Sequence, residues 1–369
     1  MKDGRLVAID VFSGGGGISE GLRLTGFNVC LAVESSLDAY LVYTLNHRHT
    51  PVIWESIRRM RGFGLVLHSL GFKKADIDLV AGGPPCQGFS VANKRTRNMQ
   101  NGQNRLVWEF VRVVKDLQPP AFILENVPGM LGMQDGELVA NLKSEFELLG
   151  YGVHEMRLDA ADYGVPQHRR RLFLVGYDSG KIDEPEPLFG SHSDKPYVKV
   201  KDALLGDLPP LDGNTGSTVV QYSRPAETAY QAWSRTGSPR LHDHITTKCG
   251  PIVKARFNLI GEGQNLRDLI DQGDKIPKEL EVAVGHRSVY RRLDRNEPSV
   301  TVVNFRKAML IHPVENRLLS LREAARLQSF QDRYRFPGKI SLMQQLVGDC
   351  VPPLLMKAVA EKVASRILS

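Results

Sequence analysis

The chain has 369 residues, of which 42% are hydrophobic and 24% charged, a composition typical of a globular protein with a large core. It contains no run of about 18 apolar residues and no signal-peptide pattern at its start, so we expect a cytoplasmic protein without a membrane span. The net charge of +7 fits a polyanionic partner. A chain of this length usually forms about two or three domains.

The four cysteines are spread along the chain without a Cys-x-x-Cys pair: Cys30, Cys86, Cys249 and Cys350. This spacing argues against a disulfide framework and against a structural zinc site, and no metal is expected. The remaining roles are a nucleophile or buried thiols.

Strand-like apolar runs alternate with helix-like segments up to residue 176. The predicted strands are Leu6–Phe12, Val29–Val33, Ile77–Ala81, Ala121–Leu124 and Arg171–Gly176. The predicted helices are Ile18–Thr25, Leu37–Asn46, Arg105–Leu117 and Glu137–Leu149. This alternation predicts an α/β fold whose parallel sheet is covered by helices on both faces.

A glycine-rich turn, Phe12–Gly17, follows the first predicted strand and precedes the first helix. Backbone amides in such a turn can lie against a nucleotide. Glu34 ends the second strand 20 residues after Gly14, where an acid can bind ribose hydroxyls. Ser19 occupies the third glycine position of the Gly-x-Gly-x-x-Gly fingerprint, which favours a mononucleoside ligand over a dinucleotide.

Cys86 stands in the segment Gly82–Ser90, directly after two prolines at the end of a predicted strand. Proline fixes the backbone, and the flanking glycines allow a sharp turn close to a ligand. Because ligands of open α/β sheets bind beyond the carboxyl ends of the strands, this segment presents a thiol to the ligand edge. A free cysteine is most often a small buried hydrophobe, but the Pro-Pro-Cys-Gln context favours a nucleophile.

Further polar side chains lie at other strand ends. Glu125 follows a hydrophobic run, and partial desolvation is expected to raise its pKa so that it can hold or donate a proton. The alternative is a structural Glu-Asn turn. Gln167, Arg169 and Arg171 alternate along an extended segment, so they share one face that could grip phosphate or a base edge. The alternative is a solvated basic turn.

From about residue 181 to residue 300, proline-rich breaks replace the regular alternation, which predicts a separate, less regular domain. Residues 231–310 carry 14 Lys and Arg against 9 Asp and Glu, whereas residues 181–230 carry 5 against 8. The elements predicted after this region are a strand at Ser299–Val303, a helix at Arg322–Ser329 with a capping box at Ser320, and a final helix at Leu354–Leu368.

These motifs, in this order, resemble the DNA (cytosine-5)-methyltransferases over nearly the whole chain. The matching segments are Phe12–Gly16 (first cofactor motif), Pro85-Cys86 (catalytic motif), Glu125–Val127 (Glu-Asn-Val motif), Gln167–Arg171 (Gln-x-Arg-x-Arg motif), Asn316–Glu323 (ninth motif) and Gln345–Pro353 (tenth motif). The resemblance implies a Rossmann-like S-adenosylmethionine-dependent methyltransferase sheet in residues 1–180. A smaller, irregular target-recognition domain would follow in 181–300. Residues 301–369 would return to the catalytic domain, with the C-terminal helix beside the cofactor site.

The resemblance also implies roles for individual residues. The implied catalytic residues are Cys86, Glu125, Arg169 and Arg171. The implied cofactor-binding residues are Phe12, Ser13, Gly14, Gly16, Glu34, Ser56, Ile57, Pro84, Leu106, Asp349 and Val351. The chain departs from the family pattern at Ser56, where an Asp-Ile pair usually begins, and at Asp349-Cys350, where the tenth motif usually reads Asn-Ser or Asn-Ala.

The implied reaction transfers a methyl group from S-adenosyl-L-methionine to C5 of a flipped-out cytosine in double-stranded DNA. In it, the Cys86 thiolate adds to C6, Glu125 binds N3 and the amino group, and Arg169 holds the base or its phosphate. The basic segment Asn93–Arg97 would close over DNA as a lid. A bacterial, nucleoid-associated monomer paired with a restriction endonuclease is expected.

Three alternatives remain open at this stage. One is a tRNA cytosine-5 methyltransferase of the same fold, although the long region 181–300 favours a reader of DNA sequence. Another is a catalytically inactive DNA-binding homologue, which the intact catalytic motifs disfavour. A nicotinamide-dependent oxidoreductase is disfavoured by the failed dinucleotide fingerprint.

Overall fold

A computed structural model describes residues 4–85, 105–211, 215–273, 276–282 and 289–369. The predicted nucleophile Cys86 and the predicted lid Asn93–Arg97 lie outside the described residues. The chain divides into two compact units. Unit 1 comprises Met1–Ala160, Arg170–Glu186 and Val351–Ser369, and unit 2 comprises Ala161–Arg169 and Pro187–Cys350. In the part of the chain that the structure describes, no helix is both long and apolar enough to cross a lipid bilayer.

The strands within the described ranges are β1 (Val7–Val11), β2 (Asn28–Glu34), β3 (Val52–Trp54), β4 (Leu79–Gly82), β5 (Ala121–Asn126), β6 (Gly152–Asp159), β7 (Arg170–Tyr177), β8 (Gly216–Val220) and β9 (Leu241–Ile245). The α-helices are α1 (Gly17–Leu24), α2 (Leu37–Asn46), α3 (Phe63–Ser69), α4 (Leu106–Leu117), α5 (Glu137–Leu148), α6 (Val200–Leu204), α7 (Ala229–Ser234), α8 (Pro251–Leu259), α9 (Leu266–Asp271), α10 (Leu321–Leu327), α11 (Ile340–Asp349) and α12 (Pro353–Leu368).

Unit 1 is built on a seven-stranded sheet in the order β3-β2-β1-β4-β5-β7-β6. The first five strands of this order are parallel, and β7 runs antiparallel to both β5 and β6. All residues of β1 and β5 are buried, as expected for parallel strands covered on both faces. The predicted α/β methyltransferase sheet is confirmed, but the predicted strand Arg171–Gly176, now β7, runs antiparallel to both of its neighbours.

The sequence patterns located most elements of unit 1 within one or two residues but missed β3, α3 and β6. The three residues of β3 are too few for a period to emerge, and only part of β6 is buried, so neither shows a hydrophobic run. The predicted final helix is confirmed as α12, which packs against α1.

Glycine residues bring α12 close to α1. A Cβ at Gly17 would lie 2.2 Å from the Val351 carbonyl oxygen, and a Cβ at Gly21 would lie 2.5 Å from Cβ of Met356. Because only glycine fits at such separations, the C-terminal segment is held against the helix that follows the glycine-rich turn.

Unit 2 contains a two-stranded antiparallel sheet of β8 and β9, helices α6–α11 and its own apolar clusters, one of them centred on Phe257, Leu266 and Ile311. The capping box predicted at Ser320 is confirmed: Ser320 Oγ accepts a hydrogen bond from the Glu323 amide, and the Ser320 amide donates to Glu323 Oε2 at 2.7 Å.

The prediction of a strand at Ser299–Val303 is wrong. The Val302 amide donates to Gln167 Oε1 at 2.7 Å, and the Val302 carbonyl accepts from Arg169 Nη1 at 2.8 Å. Side chains therefore take the hydrogen bonds that a neighbouring strand would have formed, and only an isolated bridge between Gln167 and Ser299 remains. In the structure, unit 2 extends to Cys350, and Val351–Ser369 belong to unit 1.

A buried ionic cluster holds unit 2 together. Arg326 donates to both carboxylate oxygens of Asp332, at 2.9 and 2.7 Å, and to both oxygens of Asp207, at 2.8 Å each. All three side chains are fully buried. Burial raises the pKa of the Asp332 carboxyl, but the charge of Arg326 outweighs this effect and lowers the pKa below its ordinary value.

We expect Arg326→Met to lower the free energy of unfolding by about 3–5 kcal/mol at pH 7, because it removes the guanidinium that hydrogen-bonds both buried carboxylates. In the wild type, the low pKa of Asp332 stabilises the fold above the ordinary aspartate pKa, and this contribution is lost as the pH falls. The loss of unfolding free energy in the variant, relative to the wild type, should therefore become smaller as the pH approaches 4. Urea titrations at pH 7 and pH 4.5 measure both effects.

The matched control is Arg267→Met, which removes an exposed guanidinium 3.4 Å from Asp271. A surface pair of this kind contributes at most about 1 kcal/mol. If both variants lost equal stability, the buried cluster would not have the structural role given to it here.

Candidate active site

The carboxyl ends of neighbouring strands bring the predicted site residues of unit 1 to one edge of the sheet. The glycine-rich turn follows β1, Glu34 ends β2, Gly83–Pro85 follow β4, and Glu125 lies near the end of β5. Because β2, β1, β4 and β5 are adjacent and parallel, these segments share the edge at which open α/β sheets bind ligands.

Glu34 connects the ends of β1 and β2. Its Oε2 accepts a hydrogen bond from the Gly14 amide at 2.8 Å, and its Oε1 accepts one from the Ser36 amide at 2.6 Å. Each carboxylate oxygen can accept a further hydrogen bond, so the side chain can hold the turn and still receive a ligand hydroxyl. The structure thus gives Glu34 a scaffolding contact in addition to the predicted one with ribose.

The turn itself has the features of a ligand cradle. Phe12 has a φ of 61°, which is uncommon for a residue with a side chain and is often found at functional sites. The Ser13 hydroxyl is buried and has no hydrogen-bond partner among the residues that the structure describes, although buried hydroxyls normally have one. Gly14 and Gly16 also have positive φ, so they present bare backbone. This arrangement fits a nucleoside-bearing ligand that supplies the missing hydrogen-bond partner of Ser13.

A buried network of hydrogen bonds connects β1 with α1 and α2 next to the turn, and it was not predicted from the sequence. Asp10 Oδ2 accepts hydrogen bonds from the Ser19 amide at 3.1 Å and the Ser19 hydroxyl at 2.6 Å, and Ser19 Oγ lies 2.7 Å from the Tyr43 hydroxyl. Complete burial raises the pKa of Asp10 to about 7, with a smaller contribution from the charge of Glu34. The sequence feature that could have revealed this network is the single carboxyl group, Asp10, within the apolar residues of β1.

We expect Asp10→Asn to flatten the pH dependence of stability. The folded-state pKa of Asp10 lies above the unfolded value, so folding favours the protonated acid, and stability falls as the pH rises from about 4 to about 7. Asparagine keeps an acceptor for Ser19 and carries no charge. The free energy of unfolding of the variant minus that of the wild type should increase by about 2–3 kcal/mol from pH 5 to pH 8, as measured by urea unfolding. If this difference were the same at both pH values, the assignment of the raised pKa to Asp10 would be contradicted.

Glu125 and Arg171 form an ion pair beside the segment that leads to Cys86. Arg171 Nε lies 2.9 Å from Glu125 Oε1, and both side chains are almost buried. A Cβ at Gly83 would lie 2.9 Å from Glu125 Oε2, so a glycine there lets the backbone pass beside the carboxylate. The Asn126 side chain donates to the Pro84 carbonyl at 3.4 Å. The end of β5 is therefore joined to the Gly83–Pro85 segment.

Arg169 is held by backbone carbonyl oxygens of unit 2. It is 1% exposed and donates to the carbonyl oxygens of Val302 and Gly348, at 2.8 Å each, and of Cys350, at 3.1 Å. These contacts fix the backbone around residues 348–350 against the guanidinium. That Arg169 holds the base or its phosphate stays a prediction.

The other predicted cofactor residues differ in how deeply they are buried and in the unit to which they belong. Ile57 is 3% exposed and belongs to the core of unit 1, and Leu106, the first residue of α4, packs against that core. The half-buried Ser56 has its amide bonded to Glu55 at 2.7 Å. Val351 lies beside Gly17 in unit 1, whereas the exposed Asp349 ends α11 in unit 2 and accepts from Gln345 at 2.7 Å.

A family model and individual relatives both match nearly the whole chain. The family model for C-5 cytosine-specific DNA methylases matches residues 6–365. The type II methyltransferase M.AgeI of Thalassovita gelatinovora is 32% identical, with 96% of this chain and 98% of the relative covered. The type II methyltransferase M1.HphI of Haemophilus parahaemolyticus is 36% identical, with 97% and 86% covered.

A solved structure resembles the chain along its length. It is a crystal structure described as a DNA modification methyltransferase encoded within an E. coli prophage. The TM-score is 0.77 and the sequence identity 28%, and the alignment covers 98% of this chain and 99% of that one.

Proposed function

The chain belongs to the C-5 cytosine-specific DNA methylases, and we propose that it methylates C5 of one cytosine within a specific sequence of double-stranded DNA. The observation that carries this proposal is the Glu125–Arg171 pair beside the segment that ends in Pro84-Pro85, directly before Cys86. The pair supplies a carboxylate and a guanidinium beside the segment whose next residue in the sequence is Cys86. A thiol, a carboxylate and a guanidinium are the groups needed to activate a pyrimidine ring.

Covalent activation explains why a thiol is needed, because C5 of cytosine is a poor nucleophile. The Cys86 thiolate adds to C6, forming the S–C6 bond and moving the ring electrons toward C5 and N3. Glu125 hydrogen-bonds N3 and the amino group, where the charge changes during the addition. Arg171, at 2.9 Å from Glu125, orients that carboxylate. After C5 has gained the methyl group, loss of the C5 proton and cleavage of the S–C6 bond restore the aromatic ring.

S-adenosylmethionine supplies an electrophilic methyl group when it is bound. The turn Phe12–Gly16 and Glu34 are proposed to hold its adenosine, with the Ser13 hydroxyl available as a polar contact. In our proposal Val351 closes this region from the side of α1, since its backbone lies against Gly17.

The target atom of a stacked base is out of reach, so we propose that the cytosine is flipped out of the duplex, which requires a few kcal/mol from DNA contacts. Unit 2 is proposed to read the sequence. Its exposed cations in residues 231–310 include Arg240, Lys248, Lys254 and Arg306, whereas Arg256 and Arg292 of the same region donate to backbone carbonyls.

We propose a protective role for the modification, opposite a restriction endonuclease of the same specificity. The names of the relatives support it, since both are type II methyltransferases. A tRNA methyltransferase of the same fold is the competing function, and the relatives favour DNA over it.

The test is to sequence 5-methylcytosine in bacterial DNA after expression of the chain, with the empty vector as the control. Methylation confined to one recurring sequence is expected. In parallel, the purified protein is assayed with tritiated S-adenosylmethionine on duplex DNA and on tRNA. Transfer to tRNA alone, or scattered methylation without a common sequence, would refute the proposal.

A further inference from the structure

A large aromatic side chain stands at the ligand edge of unit 1 without a role in the site described above. Trp54 is the last residue of β3 and is 54% exposed, and it pairs in register with Glu34 of β2. Its ring is fixed: the indole N–H donates to the Ser35 carbonyl at 3.0 Å, and the ring stacks on Tyr40 with the centroids 6.0 Å apart.

The order of the strands determines which end of an adenosyl ligand lies here. The reacting end must face β4 and β5, which carry the Gly83–Pro85 segment and Glu125. Glu34 receives the ribose two strands away from β4, at about 10 Å, because strands are spaced by about 4.8 Å. In an adenosine the base is attached to C1′ and the sulfur-bearing C5′ to C4′, the two ring carbons that flank the ring oxygen, so the base and the sulfur extend in opposite directions from the ribose. The base therefore points away from β4, towards β3.

We propose that Trp54 is the stacking platform for the adenine ring of S-adenosylmethionine. The inference rests on the proposed function, and it assigns the base-binding surface to the edge strand. The residues that directly follow Glu34 are Ser35 and Ser36, whose small side chains provide no ring. The hydrogen bond to Ser35 and the ring contact with Tyr40 hold the indole in place before the ligand arrives, which limits the entropy lost on binding. A purine would cover apolar surface that is now in water.

The first test measures affinity for S-adenosylhomocysteine by calorimetry. Trp54→Ala should weaken binding about 10- to 100-fold, whereas Trp54→Phe, which keeps a ring, should stay within about fivefold of the wild type. Leu65→Ala, which truncates a side chain that is 81% exposed on α3, is the matched control and should bind like the wild type. In methyl-transfer assays Trp54→Ala should raise KM for S-adenosylmethionine and leave kcat nearly unchanged.

The second test uses fluorescence and does not depend on a truncated side chain. The chain has three tryptophans, and replacing Trp108 and Trp233 by phenylalanine leaves Trp54 as the single reporter. S-adenosylhomocysteine and adenosine should quench this signal, and homocysteine, which lacks the base, should not.

The outcomes separate this inference from the proposed function. Tight binding of S-adenosylhomocysteine by Trp54→Ala, or an unquenched Trp54 signal, overturns the stacking role and leaves the methyltransferase assignment intact. If the wild type binds no S-adenosylhomocysteine at all and transfers no methyl group, the proposed function itself fails.

Discussion

Cys86→Ser is expected to abolish methyl transfer to cytosine while the variant still binds S-adenosylhomocysteine and duplex DNA. A serine hydroxyl is far less nucleophilic at neutral pH than a thiol, of which a few per cent is already ionised. We expect a rate loss of at least about 10⁴-fold, because the C5 atom is not activated without the bond to C6. Single-turnover transfer from tritiated S-adenosylmethionine measures the loss.

A substrate that traps the intermediate distinguishes covalent catalysis from a structural role of the thiol. With S-adenosylmethionine and duplex DNA carrying 5-fluorocytosine, C5 gains the methyl group but has fluorine in place of the proton that must be lost. The S–C6 bond should therefore persist and yield an adduct that survives denaturing electrophoresis. The wild type should form this adduct and Cys86→Ser should not. Cys249→Ser, which replaces a partly buried thiol in unit 2, is the matched control and should form it normally. Adduct formation by Cys86→Ser would disprove the assignment.

The central strands and the site segments at their ends were predictable from sequence because their patterns depend only on residues that are close together in the chain. Buried parallel strands read as continuous apolar runs, and the glycine-rich turn and Glu34 follow such runs directly. Glu125 was predictable for the same reason. The sheet edge then brings the strand ends together whatever the lengths of the connections.

The side-chain partners were not predictable in the same way, because they depend on packing between segments far apart in the chain. Arg169 and Arg171 are two residues apart and look equivalent in sequence, yet Arg169 bonds carbonyls of residues 302–350 whereas Arg171 pairs with Glu125. Likewise, Ser299–Val303 has the residue pattern of a strand, but the side chains of Gln167 and Arg169 take the hydrogen bonds of the Val302 amide and carbonyl. Trp54 gave no signal, because β3 is three residues long.

Arginines with structural contacts also change how the charge of unit 2 is interpreted. The basic excess in residues 231–310 suggested a surface for DNA, but part of it is structural. Arg292 donates to the carbonyls of Ile260 and Phe257, at 2.7 and 2.8 Å, and burial lowers the pKa of its guanidinium. The charge of a region therefore overstates the charge that it can offer to phosphates.

Glu125→Gln is expected to slow methyl transfer by about 10²- to 10⁴-fold, because an amide of the same shape cannot hold or donate a proton as a carboxyl group does. Affinity for S-adenosylhomocysteine should change little, since Glu34 and the glycine-rich turn are proposed to hold the adenosine. Transfer under single-turnover conditions and calorimetric titration measure the two quantities separately. Equal losses in both would assign Glu125 a structural role.

A double-mutant cycle with Arg171→Met tests whether the ion pair acts as one unit. If Arg171 works by orienting the carboxylate 2.9 Å away, it has little left to orient in Glu125→Gln, and the double variant should be no slower than Glu125→Gln alone. Glu361→Gln with Lys357→Met, at an exposed pair on α12 separated by 2.6 Å, is the matched control and should leave transfer unchanged. Additive losses at Glu125 and Arg171 would mean that the guanidinium contacts the substrate independently.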